Sequence, residues 1–255
     1  MQADGRMDAG TPGTSHALAR NNLVTQVPPP HAMQLFRFIT GARPPLIDRA
    51  VRDLASMLDT AADMFSAATG CLLDNEPLSV DLAALDEVVN EGEESVRRAV
   101  LEHVVSAPQE ETSFSLLLVS VVQDAERCGD LAKTLAKVAE LADAPRMGPH
   151  AEALAEIRDR IQASFPRAHR AFVEGDAREA RLVMDEHAQT KADVATYLRT
   201  LTSDSDLSPN AAAVLAMTAR IIARVSAHLS NIISTVALPF DQVRGAPTWS
   251  ERVAS

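Results

Sequence analysis

Apolar residues recur every three or four positions along most of the chain, with little of the alternation that marks strands. The first run follows Pro44-Pro45 and is predicted to end at Gly70. Six such runs occur in succession, which predicts an all-α bundle of six helices, each of about 20–30 residues. The positions that define the first run are Leu46, Ala50, Leu54, Met57, Leu58, Ala61, Met64 and Phe65.

The five later runs are bounded by capping residues and prolines. The third is apolar almost all round in its first turns, which is typical of a central bundle helix. The fourth contains Pro166, where a kink is predicted. The sixth opens with an N-cap serine followed by a proline at the first helical position. The predicted bounds are near Ser79 to Pro108 for the second run, about Ser113 to Leu141 for the third, about Ala177 to Leu201 for the fifth, and Ser208 to just before Pro239 for the sixth. The fourth run is defined by Leu154, Ile157, Ile161, Phe165 and Phe172.

The two halves of the chain share one plan. Residues 84–87 (Ala-Leu-Asp-Glu) align with 183–186 (Val-Met-Asp-Glu) at an offset of 99, and 126–128 align with 223–225 at an offset of 97. A near-constant offset predicts two tandem three-helix repeats that share one core. The alternative is a chance alignment of similar helical sequences. The predicted repeats are 46–148 and 149–242.

The ends of the chain differ from this plan. Residues 1–45 hold 6 of the 14 prolines and 4 of the 10 glycines, so they are predicted to form an N-terminal tail. Within it, 1–32 are predicted to be disordered. Two interpretations stay open: a genuine flexible tail, or a translation start at Met33. Residues 243–255 are predicted to form a C-terminal tail.

Composition and charge exclude several classes of protein. The net charge of -11 and the 4% aromatic content argue against nucleic-acid binding. Cys71 and Cys128 form no CxxC pair, so a reducing cytoplasm is the simplest compartment. The sequence shows no secretory signal and no run of 18 apolar residues, so no insertion into a membrane is expected.

Motifs of familiar enzymes are absent from the sequence. It contains no G-x-x-x-x-G-K-[S/T], G-x-G-x-x-G, H-E-x-x-H or G-x-S-x-G. None of the seven histidines follows a glutamate by three positions, so the paired E-x-x-H of di-iron bundles is missing. Cys128 lies inside the third predicted helix, where a buried, unreactive thiol is expected. The sequence therefore predicts a protein that is not an enzyme.

One carboxylate pair is a candidate for chemistry. Glu126 and Asp130 are four residues apart and therefore share one face of the third helix. Like charges at this spacing repel, so a positive charge is expected nearby: Arg127, Lys133, Lys137 or a bound cation. Carboxylate oxygens at i and i+4 suit hard or borderline metals. By spacing alone, a solvated acidic face is the stronger interpretation.

Other acidic stripes occur at the same spacing on the first, second and fifth helices. In an acidic protein such stripes are usually solvated, and buried hydrogen bonds between helices are the alternative. The stripes are Asp59 and Asp63; Asp86, Asn90 and Glu94; and Asp185, Gln189 and Asp193.

A family resemblance enters at residues 122–136, Val-Gln-Asp-Ala-Glu-Arg-Cys-Gly-Asp-Leu-Ala-Lys-Thr-Leu-Ala. They resemble the PhoU family signature D-x-E-R-I-G-D-x-A-x-N-I-A. Residues 223–233 resemble its weaker second copy, E-R-I-A-D-H-A-x-N-I, and the resemblance covers roughly 46–242. The matching residues of the first copy are Asp124, Glu126, Arg127, Gly129, Asp130 and Ala132.

The resemblance implies a cytoplasmic, dimeric, all-helical regulator that restrains phosphate uptake and phosphate signalling. It implies partners of three kinds: a phosphate ABC transporter, a sodium–phosphate cotransporter in some lineages, and a phosphate-sensing histidine kinase. The alternatives are a metal-binding helical bundle protein and a helical adaptor unrelated to phosphate.

Some PhoU-type proteins bind iron or zinc clusters through one E/D-x-x-x-D motif per repeat. In this chain Glu126 and Asp130 match that motif, but the second copy has Ala223 and Ala227, which cannot ligate a metal. His228 and Asn231 remain there; a lone histidine is more often packed or at the surface than a ligand. We therefore expect no required cofactor and at most one weakly bound divalent or iron ion, at Glu126 and Asp130.

Overall fold

The computed structural model describes residues 43–107 and 111–243, and within those ranges six α-helices and no strand occur. This confirms the all-α prediction. The predictions for residues 1–32 and for 244–255 lie outside the described residues. The helices are α1 Pro45–Leu73, α2 Leu82–Ser106, α3 Thr112–Glu140, α4 Pro149–Glu174, α5 Ala177–Ser203 and α6 Pro209–Ala237, followed by a 3₁₀ turn, Phe240–Gln242.

Side-chain caps fix where two of the helices start. The Ser208 hydroxyl accepts the N–H of Ala211 at 3.1 Å, with Pro209 at the first helical position, as predicted. The second helix starts later than Ser79, because the Asp81 carboxylate accepts hydrogen bonds from two backbone N–H groups of its first turn. A cap at Asp81 leaves the residues before it outside the helix.

The prediction that the first helix ends at Gly70 is wrong, since α1 continues to Leu73. The chain turns at Asn75, whose φ of 58° lies in the left-handed region that asparagine tolerates. An added Cβ at Gly70 would lie 3.0 Å from a carboxylate oxygen of Glu76, an exposed and flexible side chain. The carbonyl of Gly70 accepts the N–H of Glu76 at 3.2 Å, which closes the turn.

Helix α4 runs through Pro166 without ending there. It stops at Gly175, whose φ of 70° is a left-handed C-cap that costs glycine little. The kink expected at Pro166 stays a prediction.

The two triplets of helices pack in the same way. Helix α2 lies on α1 and α3, and α5 lies on α4 and α6, while α1–α4 and α3–α6 contacts join the triplets. The third helix therefore packs on the sixth where the two triplets meet. Between α1 and α4, the rings of Phe65 and Phe165 lie 5.7 Å apart, centroid to centroid. One continuous hydrophobic core results, in accord with a duplicated plan.

Helix α6 is, by length and composition, apolar enough to cross a membrane. Half of its most apolar window is buried against the rest of the bundle. Its apolar character is explained by its central position between α3, α4 and α5.

Candidate functional site

The acidic side chains of the signature on α3 point in two directions. Glu126 and Asp130 lie on the outer side of α3, with side chains 16% and 31% exposed. Asp124, two residues before Glu126, is 1% exposed and faces α6. Two residues along an α-helix correspond to a rotation of about 200°, which explains the opposite orientation.

Two cations of α3 hold Asp130. A guanidinium nitrogen of Arg127 lies 2.9 Å from Asp130 Oδ2, and Lys133 Nζ lies 2.9 Å from Asp130 Oδ1. Lys133 Nζ also lies 2.6 Å from Asp86 Oδ2 on α2. The positive charge expected beside the carboxylate pair is therefore supplied by Arg127 and Lys133, and Asp86 joins the cluster through Lys133.

Glu126 and Asp130 share a proton near neutral pH. Burial, and then a hydrogen bond to Asp130, raise the pKa of Glu126 to about 7. Burial opposes ionisation of Asp130, but hydrogen bonds from Lys133 and Glu126 outweigh it and lower the pKa of Asp130. For Lys133, burial is outweighed by its hydrogen bonds to Asp86 and Asp130, so its pKa is raised. The cluster thus keeps Lys133 charged and Asp130 ionised.

The two copies of the signature bind each other across α3 and α6. His228 Nδ1 lies 2.8 Å and Asn231 Nδ2 lies 2.9 Å from Asp124 Oδ1. Because a carboxylate only accepts, both α6 side chains donate to it. His228 is therefore a partly buried hydrogen-bonding residue, 19% exposed, and not a lone surface histidine.

This contact was not predicted from the sequence, although Asp124 is the first residue of the signature. Periodicity assigns residues to faces of one helix, and the partners lie 104 and 107 residues away. The signal that was available is that Asp124, His228 and Asn231 all match signature positions.

The second repeat lacks an equivalent acidic cluster. Ala223 and Ala227 are partly buried on α6 and offer no oxygen ligand. In that half, His187 of α5 lies 3.0 Å from the Ser226 hydroxyl of α6. Burial, with the charge of Lys191 as a second cause, lowers the pKa of His187. In this half, ion pairs of Arg167 with Glu179 and Glu186 join α4 to α5 instead.

The residues around Glu126 and Asp130 do not make a complete metal site. Zinc takes about four ligands and calcium six or more. Within residues 43–107 and 111–243, no three His, Cys, Asp or Glu side chains converge as a metal site would require. Asp86, a further carboxylate of the cluster, is held by Lys133. A metal ion at this pair stays a prediction, and it would rely mostly on water ligands.

The other acidic stripes are only partly solvated. Asp59 faces α4, where it lies 2.7 Å from His169 Nδ1, so it does not reach α3. Asp193 accepts from Arg160 of α4 at 2.6 Å and from Gln189 at 2.7 Å. Asp63, Glu94 and Asp185 are exposed. Both interpretations of these stripes therefore apply, at different residues.

Cys128 is fully buried on α3, as expected. Burial raises the pKa of its thiol far above the usual range, so the reactive thiolate is not formed at neutral pH.

The family model of the PhoU domain matches residues 54–139. The crystal structure of PhoU from Pseudomonas aeruginosa has a similar fold, with a TM-score of 0.65. The alignment covers 73% of this chain and 93% of that one, at 23% sequence identity. No protein of curated function matches the sequence. The matched region, a PhoU domain, spans the ion-pair cluster on α2 and α3.

Proposed function

We propose that the protein is a PhoU-like regulator that restrains phosphate uptake and phosphate-responsive signalling through protein–protein contacts. The observation that supports this most directly is the PhoU domain over residues 54–139, in a six-helix fold shared with a PhoU protein. In this proposal the protein acts in the cytoplasm, as a homodimer, and performs no chemistry of its own. Its partners are a phosphate transporter, of ABC or sodium-coupled type, and a phosphate-sensing histidine kinase.

Exposed apolar side chains near the end of α2 and the start of α3 are the surface we assign to partner contact. Leu101 and Val105 on α2 are 64% and 74% exposed, and Leu116 and Val119 on α3 are also exposed. The members of each pair are three or four residues apart, so each pair presents one face of its helix. Clustered exposed apolar side chains mark interaction sites more often than single ones do. A helix or loop of the partner would cover them.

The function is tested in a deletion strain carrying a phosphatase reporter of the phosphate response. At high phosphate, deletion should raise reporter activity, and a wild-type copy should restore repression. Unchanged activity after deletion would contradict the phosphate function and favour a helical adaptor unrelated to phosphate.

The contact surface is tested separately by Leu101→Ser with Val105→Ser. This variant should fold but fail to restore repression, since it removes apolar area that only a partner covers. The matched control is Leu182→Ser with Met217→Ser, two other apolar side chains that are each 43% exposed. If both variants restored repression equally, the contact surface would lie elsewhere on the protein.

A metal-binding bundle is the second candidate function. Its support is the match of Glu126 and Asp130 to the family's metal motif. Lys133 stands against it, because its ammonium already lies between Asp86 and Asp130. Elemental analysis of the purified protein separates the two candidates.

A further inference from the structure

A small hollow beside the signature is lined mainly by positive charge. Its volume is about 350 Å³, and it lies between the outer side of α3 and the neighbouring turn of α6. Four of its side chains are cationic and one is a carboxylate, in a chain whose net charge is -11 and which contains only three lysines. The lining residues are Arg127, Asp130, Leu131, Lys133, Thr134 and Lys137 of α3 and Arg224 of α6.

The positive charge of this hollow exceeds what the nearby carboxylates neutralise. Asp130 and Asp86 balance two charges, through Arg127 and Lys133. Glu126 adds less than a full negative charge near neutral pH, because it shares a proton with Asp130.

Two of the four cations that line the hollow are not neutralised by these carboxylates. Lys137 and Arg224 are exposed, and neither forms an ion pair with any residue of the described ranges. They lie on different helices, so they face one space from two sides.

We propose that this hollow binds a small anion that carries two or more phosphoryl groups. A guanidinium offers paired N–H donors that match phosphoryl oxygens, and a lysine ammonium adds a compact charge. A concave space of this volume is at the lower end of small-ligand sites and exceeds what a single phosphate fills. A singly charged carboxylate would leave most of the positive charge unmatched. A protein partner is less suited, since the cations converge in a hollow and do not spread over a flat surface.

The proposal goes beyond the regulator function, and a binding measurement on purified full-length protein tests it. The probes are inorganic phosphate, pyrophosphate, triphosphate and ATP, each titrated by calorimetry without added metal. We expect pyrophosphate, triphosphate and ATP to bind at least about tenfold more tightly than inorganic phosphate. Comparing triphosphate with ATP distinguishes an inorganic ligand from a nucleotide.

The variant Lys137→Ala with Arg224→Ala should weaken this binding at least about tenfold. Its matched control is Arg181→Ala with Lys191→Ala, which removes the same charge from exposed positions on α5. Circular dichroism checks that both variants keep their helices. An equal loss in both would show unspecific charge attraction and overturn the site, as would no binding of any probe up to about 1 mM.

The reporter strain keeps this test apart from the regulator function. Loss of repression by the Lys137 and Arg224 variant, with anion binding unchanged, would assign these cations to a protein partner and overturn the anion site. Anion binding without a reporter phenotype on deletion would support the site and contradict only the phosphate function.

Discussion

Replacing Asp124 removes a side-chain bridge between the two signature copies. The carboxylate is 1% exposed, and its Oδ1 accepts from His228 at 2.8 Å and from Asn231 at 2.9 Å. Since the bridge joins α3 to α6, its loss weakens the contact between the two triplets of helices. We therefore expect Asp124→Ala to lower the free energy of unfolding and not only to loosen one helix.

The magnitude follows from two opposing effects. A hydrogen bond to a charged group contributes roughly 1.5–3 kcal/mol, so two bonds set an upper limit of about 3–6 kcal/mol. The variant also removes the cost of burying a carboxylate, and His228 and Asn231 are only partly buried, so water can replace part of what they lose. We expect a net loss of about 2–4 kcal/mol for Asp124→Ala. In a domain of this size that lowers Tm by about 4–16 °C.

Urea unfolding followed by circular dichroism measures this loss. The matched control is Asp63→Ala, which removes an exposed carboxylate from α1 and should change stability by no more than about 0.5 kcal/mol. A double-mutant cycle with His228→Ala should show a coupling of about 1–2 kcal/mol. If Asp124→Ala and Asp63→Ala were equally stable, the bridge would not stabilise the bundle.

Four further predictions concern the cluster and the organisation of the chain. Because the pKa of Glu126 in the folded protein is raised to about 7, its contribution to stability is full at low pH and is lost as pH rises through 7. Glu126→Gln should therefore remove this part of the pH dependence of the free energy of unfolding, measured by urea unfolding. An unchanged pH dependence in the variant would contradict the prediction. Elemental analysis should find at most one metal ion per chain, lost in Glu126→Ala with Asp130→Ala; two or more ions that survive would refute it. A chain that starts at Met33 should have the Tm of the full chain. Residues 46–148 alone should not melt as a cooperative monomer, because α3 would expose its face for α6.

The fold was largely predictable because local signals marked most helix ends. Ser208 and Pro209 start α6 through a cap that depends on neighbouring residues alone. The end of the first helix was wrongly predicted at Gly70, because a glycine marks a helix end only where its backbone is left-handed. The left-handed residue that follows this helix is Asn75.

The site was predictable only within one helix. Spacing placed Glu126, Asp130, Arg127 and Lys133 on neighbouring positions of α3, and their ion pairs follow from that placement. The link from Lys133 to Asp86 and the bridge from Asp124 to α6 depend on how helices rotate against one another, which the core packing decides. Periodicity predicts which face of a helix is buried but not which residues of another helix that face contacts.

The cluster on α3 shows how cations of the same chain can neutralise a carboxylate pair one helical turn apart. Two carboxylates one turn apart need a cation, and a metal ion would need further ligands that the second repeat, with Ala223 and Ala227, does not supply. Lys133 provides that cation from within the chain, since its ammonium lies within 3 Å of both Asp86 and Asp130. This ammonium is a fixed charge of the chain and joins α2 to α3 through the two carboxylates. The carboxylates are then satisfied internally, and the charge left facing solvent in the neighbouring hollow is positive.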